Sequence, residues 1–301
     1  MDIRSVTPTI CRLMGIDPPS VCTAPVLELV LALAPARVER VLVYAADAIG
    51  RVFLDSHPDL KRRLVAASDV QVDLRAMFPP KTPVCFASMF TGALPEVHGI
   101  RKYERPVLTC DTLFDVLARR DMTEIAGTVP DCGAPSAGDC PPPAISDRVP
   151  SDGGHRVTIV AVKDCSMDII FRSRPIDYFS EEDDAAVLRR TLSLLRDDRH
   201  DFIVSYNQEY DDTLHATRHD GPEAVAAARR HVETFMTLWQ AVEDRWAEHN
   251  RALVFVSDHG AHYDATKGKG DHCEDIPEDM DVLHFWRVRP ASLAADPTGR
   301  A

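Results

Sequence analysis

The chain has 301 residues, 45% of them hydrophobic, and a formal net charge of -13 at pH 7. That length holds one large domain or two modest ones, with apolar residues enough for a sizeable core. The negative charge argues against nucleic acid or an anionic membrane as the main partner, but not against a small phosphorylated molecule, because bound metal ions can reverse the local sign.

The opening MDIRSVTPTICRLMG lacks the apolar run of a signal peptide. No stretch approaches the length of a membrane span, so the expectation is a cytoplasmic protein. Eight cysteines (Cys11, Cys22, Cys85, Cys110, Cys132, Cys140, Cys165, Cys273) show no C-x-x-C spacing. They are expected as reduced thiols, several of them buried. Cys132 and Cys140 share a Pro/Gly-rich loop and are the one candidate pair for a bridge or a metal.

In chain order, 11–15 reads as a short helix ending at Gly15, and 25–33 as a second helix. Residues 40–47, RVLVYAAD, form an apolar β-rich run ending in an acid: a buried parallel strand. Asp47 then stands at the mouth where open α/β sheets bind ligands; a helix-capping Asp explains it equally well. A basic amphipathic helix follows at 60–67, then a short strand at 70–74. Residues 79–100, PPKTPVCFASMFTGALPEVHGI, deliver Thr82 at the start of an apolar segment. A hydroxyl at a helix start sits among free N–H groups and suits an oxyanion, although Thr is also an ordinary N-cap.

A helix is predicted at 109–120, with Asp111 near its start and Arg119 and Arg120 at its end, and a strand at 124–128. Residues 130–154 are rich in Pro, Gly, Ser and Asp. They read as a long exposed loop, either a lid or a surface insertion, in which Asp139, Asp147 and Asp152 are solvated. A strand at 157–162, a short helix near 167–172, a helix at 181–196 and a strand at 202–206 follow. The longest helix spans 222–246, with Val225, Ala228, Val232, Phe235, Trp239, Val242 and Trp246 on one face. The last clear strand is 253–256, and the tail from Ala291 is weakly patterned. Strands alternating with helices predict a single α/β domain over 1–301 with a mostly parallel sheet flanked by helices.

Four places offer metal ligands. Asp47 ends the first strand. Asp211 and His215, four apart, share one face of a helical turn. Asp258 and His259 follow the last strand, and His272 lies in the polar loop beyond. Strand-end positions of a parallel sheet converge on one edge. Imidazole and carboxylate together favour zinc, with manganese or iron as alternatives. Two such ions form a clamp for displacement at phosphorus.

The motifs resemble the alkaline phosphatase superfamily, most closely its type I phosphodiesterase/nucleotide pyrophosphatase branch. The matching residues are VLVYAAD, Lys81-Thr82, Thr91-Gly92, Pro95 to Ile100, Asp211 with His215 and Gly221-Pro222, Ser257 to Gly260, and His272. They run in order over most of the chain. The resemblance implies one metal on Asp211, His215 and His272, and another on Asp47, Asp258 and His259 with the Thr82 oxygen. It implies hydrolysis of a phosphomonoester or phosphodiester of a small, nucleotide-like molecule through a covalent phospho-threonine. A phosphonate hydrolase and a non-catalytic metal- or phospho-ligand-binding relative are the alternatives. Where the branch usually has a phosphate-binding Asn, the chain reads Arg101-Lys102-Tyr103. Lys102 and Tyr103 are therefore candidate phosphate contacts favouring a dianionic monoester, or a solvated surface pair. The chain leaves little room for a cap, with 130–154 and 172–183 as candidate lids. Residues 5–19 resemble a segment that superfamily members carry near their C-terminus.

Overall fold

The computed structural model describes residues 1–103, 108–119 and 154–292. The predicted strand at 124–128, the loop at 130–153 with Cys132 and Cys140, and the tail beyond 292 lie outside the described residues. Nine strands are described: β1 (Arg40–Ala46), β2 (Val70–Arg75), β3 (Val157–Val162), β4 (Asp177–Glu181), β5 (Phe202–Asn207), β6 (Arg251–Ser257), β7 (His262–Asp264), β8 (Lys269–Asp271) and β9 (Asp281–Arg289). Seven form one sheet in the order β2-β9-β6-β1-β5-β3-β4. Only β9 runs against the others in that sheet. β7 and β8 make a separate antiparallel pair.

The sheet is covered on both faces, and the alternation along β1 shows it. Val41, Val43 and Ala45 point into one apolar cluster, and Leu42, Tyr44 and Ala46 into the other. All six are fully buried, as expected of a central parallel strand. Each large aliphatic side chain buried this way contributes roughly 1.5–3 kcal/mol. Register then decides where the strand ends fall. Ala46 pairs with Asn207 of β5 and with Ser257 of β6. The residues that follow, Asp47, Gln208 and Asp258, therefore leave the sheet at one edge.

The helices differ from expectation in instructive ways. The first runs over Val6–Met14 and stops at Gly15, whose φ of 69° lets the next N–H, of Ile16, reach back to the Cys11 carbonyl at 2.9 Å. The helix predicted at 25–33 shrinks to Glu28–Leu31. That predicted at 109–120 shrinks to Leu113–Ala118, started by a capping box between Thr112 and Asp115. Asp111 just before the cap and Arg119 at the C-cap flank the shortened helix as expected, and they also pair with each other. Residues 172–183, a candidate lid, supply the edge strand β4 instead.

The sequence reading missed β9, which lies between β2 and β6. The long helix Pro222–Arg245 faces the sheet as expected. Its buried stripe is centred on Ala224, Ala228, His231, Phe235, Leu238 and Val242, leaving Val225 and Trp239 at the margin. His231 belongs to the core: it accepts the Tyr210 N–H at 3.1 Å and donates to the Tyr44 hydroxyl at 2.8 Å. Among the described residues no helix is long and apolar enough to cross a membrane, and the described cysteines are free.

Glu243 clamps the end of the long helix to the sheet by accepting hydrogen bonds from Arg251 of β6 and Arg287 of β9. Burial alone would raise its carboxyl pKa, but the two guanidinium groups outweigh burial and hold it below the usual range. A lowered folded pKa means stability that is complete above the unfolded value, about pH 4.3, and lost as pH falls through the folded one. Glu243→Gln should cost roughly 1–3 kcal/mol at neutral pH. The gap to wild type should narrow in urea unfolding below about pH 4. A gap that ignores pH would show that the charge is not what holds the clamp.

Candidate active site

Thr82 opens the helix Thr82–Thr91, with Pro83 at its first turn. Every residue of that helix is buried. On one side it packs against Tyr206, whose ring meets Phe86 edge-on at 5.2 Å. On the other lies the Val6–Met14 helix, where the Thr7 hydroxyl donates to the Met89 carbonyl at 2.6 Å. The His98-Gly99-Ile100 turn is a clamp on the same helix. His98 accepts the Ile100 N–H at 3.2 Å and bonds Ser88 Oγ at 2.8 Å. The nucleophile candidate is thus fixed from all sides.

The expected ligands meet in front of it. His259 Nε2 lies 3.3 Å from Thr82 Oγ1, 3.3 Å from Asp258 Oδ2 and 3.5 Å from Asp47 Oδ1. Asp211 Oδ1 lies 3.5 Å from His215 Nε2 and 3.6 Å from His272 Nε2. The two latter imidazoles approach to 3.1 Å, and His259 stacks on His272 at 4.1 Å. Two groups, Asp47 with Asp258 and His259, and Asp211 with His259 and His272, have their ligand atoms within 4.8 Å of one another. His259 stands between them. The helix Glu209–Ala216, which carries Asp211 and His215, starts where Asp184 accepts the Gln208 and Glu209 N–H groups.

Close approach of two chain turns makes this possible. A Cβ on Gly260 would stand 2.0 Å from the Glu278 carbonyl, and one on Gly50 would stand 2.6 Å from the Gly260 Cα. Any side chain there would force apart the loops that carry Asp47 and Asp258.

The electrostatics test whether a metal fits. Asp47 Oδ1, Asp211 Oδ1 and Asp258 Oδ2 are buried without a hydrogen-bond partner. Burial, together with the neighbouring carboxylates, drives Asp47 and Asp211 well above the usual carboxylate range. Burial pushes Asp258 up to about 7. His259 is lowered to about 4 by burial, and His272 is lowered by burial and by His259 beside it. His272 Nδ1 donates to the Pro80 carbonyl at 2.7 Å and His259 Nδ1 to the Gly260 carbonyl at 3.0 Å. Each ring therefore turns an unprotonated Nε2 towards the orphaned carboxylates. Neutral imidazoles held by a second partner, facing bare carboxylates, are what divalent ions require.

Lys102 and Tyr103, expected as phosphate contacts, lie on an exposed stretch, and Tyr103 keeps 63% of its surface in water. Two participants escaped the sequence reading. The Tyr206 hydroxyl donates to Asp47 Oδ2, and the Pro80 carbonyl orients His272. An aromatic with a polar tip at the end of a buried strand was the one available signal for Tyr206.

The profile of the type I phosphodiesterase/nucleotide pyrophosphatase family matches residues 46–298. The chain belongs to that family. Murine ectonucleotide pyrophosphatase/phosphodiesterase 5 superposes with a TM-score of 0.54 at 15% identity, over 76% of this chain and 59% of the murine one. The human protein of that name superposes at 0.50 and 13% identity, over 74% and 57%. Phosphonoacetate hydrolase from Sinorhizobium meliloti 1021 reaches only 0.47 at 16% identity, over 76% and 59%. The family member described here thus spans less than two thirds of the length of these solved chains, and at such identities the likeness to the murine and human proteins shows the shared α/β fold. Among curated proteins none matches.

Buried carboxylates that repel one another destabilise the metal-free fold, and a cation reverses the effect. Asp258→Asn keeps an oxygen for the Ala48 N–H that Asp258 accepts at 3.2 Å. This variant should raise the melting temperature of chelator-treated protein and shrink the rise seen on adding zinc or manganese to what the Asp211 group alone supplies. A variant that gains as much stability from metal as wild type would exclude Asp258 as a ligand.

Proposed function

We propose that this family member hydrolyses phosphate esters of small, nucleotide-like molecules with two divalent ions, zinc being the best fit to the donor set. The observation that carries the reading is the set of orphaned carboxylate oxygens and bare Nε2 atoms gathered around one fixed threonine hydroxyl. Asp47, Asp258 and His259 would hold one ion beside Thr82. Asp211, His215 and His272 would hold the other. When bound, such a pair lowers the pKa of a coordinated hydroxyl or water and neutralises charge on phosphorus.

Thr82 Oγ1 gives up its proton and forms the bond to phosphorus, and the ester P–O bond breaks as the leaving oxygen takes up a proton and departs as the alcohol. Water then cleaves the phospho-threonine, returning the hydroxyl and releasing phosphate from a monoester or a phosphomonoester from a diester. The start of the Thr82–Thr91 helix presents N–H groups and the positive end of its dipole to the phosphoryl oxygens. The buried packing of that helix holds Oγ1 in one position, so the reaction would need little rearrangement of the protein.

Thr82→Ala should lower kcat by about three orders of magnitude or more, on the scale seen when a nucleophile is removed. Metal content should stay near normal. Full rates in that variant would rule out the covalent route. Lys102 is proposed as a contact that favours dianionic substrates. Lys102→Ala should reduce kcat/KM for p-nitrophenyl phosphate more than for bis-p-nitrophenyl phosphate, and equal losses on the two would reject that role.

A further inference from the structure

Asp279 is fully buried in the short helix Pro277–Met280, which leads into β9. It lies outside the ligand set, yet it bonds to both ligand loops. Its Oδ2 accepts the N–H groups of Cys273 and Glu274, each at 2.9 Å. These residues directly follow His272. Its Oδ1 accepts from His262 Nδ1 at 2.8 Å, and its own carbonyl accepts the Gly260 N–H at 2.8 Å. His262 and Gly260 follow Asp258 and His259. One residue thus makes two bonds to each loop.

Cys273 adds a second observation. Its φ is 122°, a backbone conformation that L-residues rarely adopt. Such a residue persists only where its surroundings over-determine it. Here the Cys273 N–H is held by Asp279, and the preceding His272 is held by the Pro80 carbonyl. Freed from Asp279, the backbone at Cys273 would relax and carry the His272 ring with it.

We propose that Asp279 is a positioning residue that locks the His272 loop to the Asp258-His259 loop, so that the fold sets the spacing of these ligands before any ion binds. The inference rests on the two-ion reading of the site.

Calorimetric titration of zinc into chelator-treated protein tests it. Wild type should take two ions. Asp279→Ala should weaken one of them by about 10–100-fold, the usual cost of losing a partner that orients a ligand, and leave the other near normal. Asp279→Asn retains an oxygen for the Cys273 and Glu274 N–H groups and should restore both. In a His272→Ala background, Asp279→Ala should add no further loss, because the two act through one site. Unchanged binding of both ions in Asp279→Ala, equal loss of both, failure of Asn to outperform Ala, or full additivity with His272→Ala would overturn the proposal. A second measurement holds even where the alanine variant fails to fold. In metal-free wild type the Cys273 and Glu274 amides should already exchange slowly with solvent. Exchange as fast as in an open loop would overturn the proposal too. Wild type binding fewer than two ions would reject the two-ion reading instead, and amide protection would still decide the role of Asp279.

Discussion

Three carboxylates buried within reach of one another set the terms for this fold. Asp47, Asp211 and Asp258 each turn an unpartnered oxygen towards a common space. Left alone, such groups are relieved only by protonation or by a cation. The molecule is built so that they cannot move apart. Parallel register brings Asp47 and Asp258 to equivalent positions past Ala46 and Ser257. Tyr206 ties Asp47 to the neighbouring strand, and the Ala48 N–H ties Asp258 back to the Asp47 loop. The two apolar layers on either face of the sheet supply the stabilisation that offsets this strain.

The histidines answer the carboxylates. His259 and His272 are each anchored through Nδ1 to a backbone carbonyl, so their orientation belongs to the chain and not to a ligand. Thr82 stands against this arrangement at the tip of a helix that is buried all round. The candidate ion ligands and the hydroxyl are thereby held in one frame. The proposed displacement at phosphorus would need such a fixed arrangement.

Much of this was legible in the sequence, for reasons that differ by element. RVLVYAAD reads as a central strand because a parallel strand covered on both faces has no polar face to show. Asp211 and His215 are recognisable by helical spacing, and Asp258 and His259 by their place after a strand. β9 was not legible: DVLHFWRVR mixes Asp, His and Arg into its apolar run, because Arg287 serves Glu243 and the buried His284 bonds the Ser257 carbonyl at 2.8 Å. The edge strand β4 is too short and polar to stand out. Partners such as Tyr206 and Pro80 lie 159 and 192 residues from the groups they hold, and local pattern carries no trace of contacts at that range.

The burial of the Thr82 helix has a consequence for how such a protein can change. A hydroxyl carried on a helix that is buried along its whole length has little freedom for adjustment to a new substrate. Discrimination must then come from whatever surrounds the mouth of the site. Loops there can lengthen, shorten or exchange residues without disturbing the Thr82 oxygen. Chemistry and choice of substrate are in that sense inherited separately: one is written into the core, the other into a rim that is free to drift.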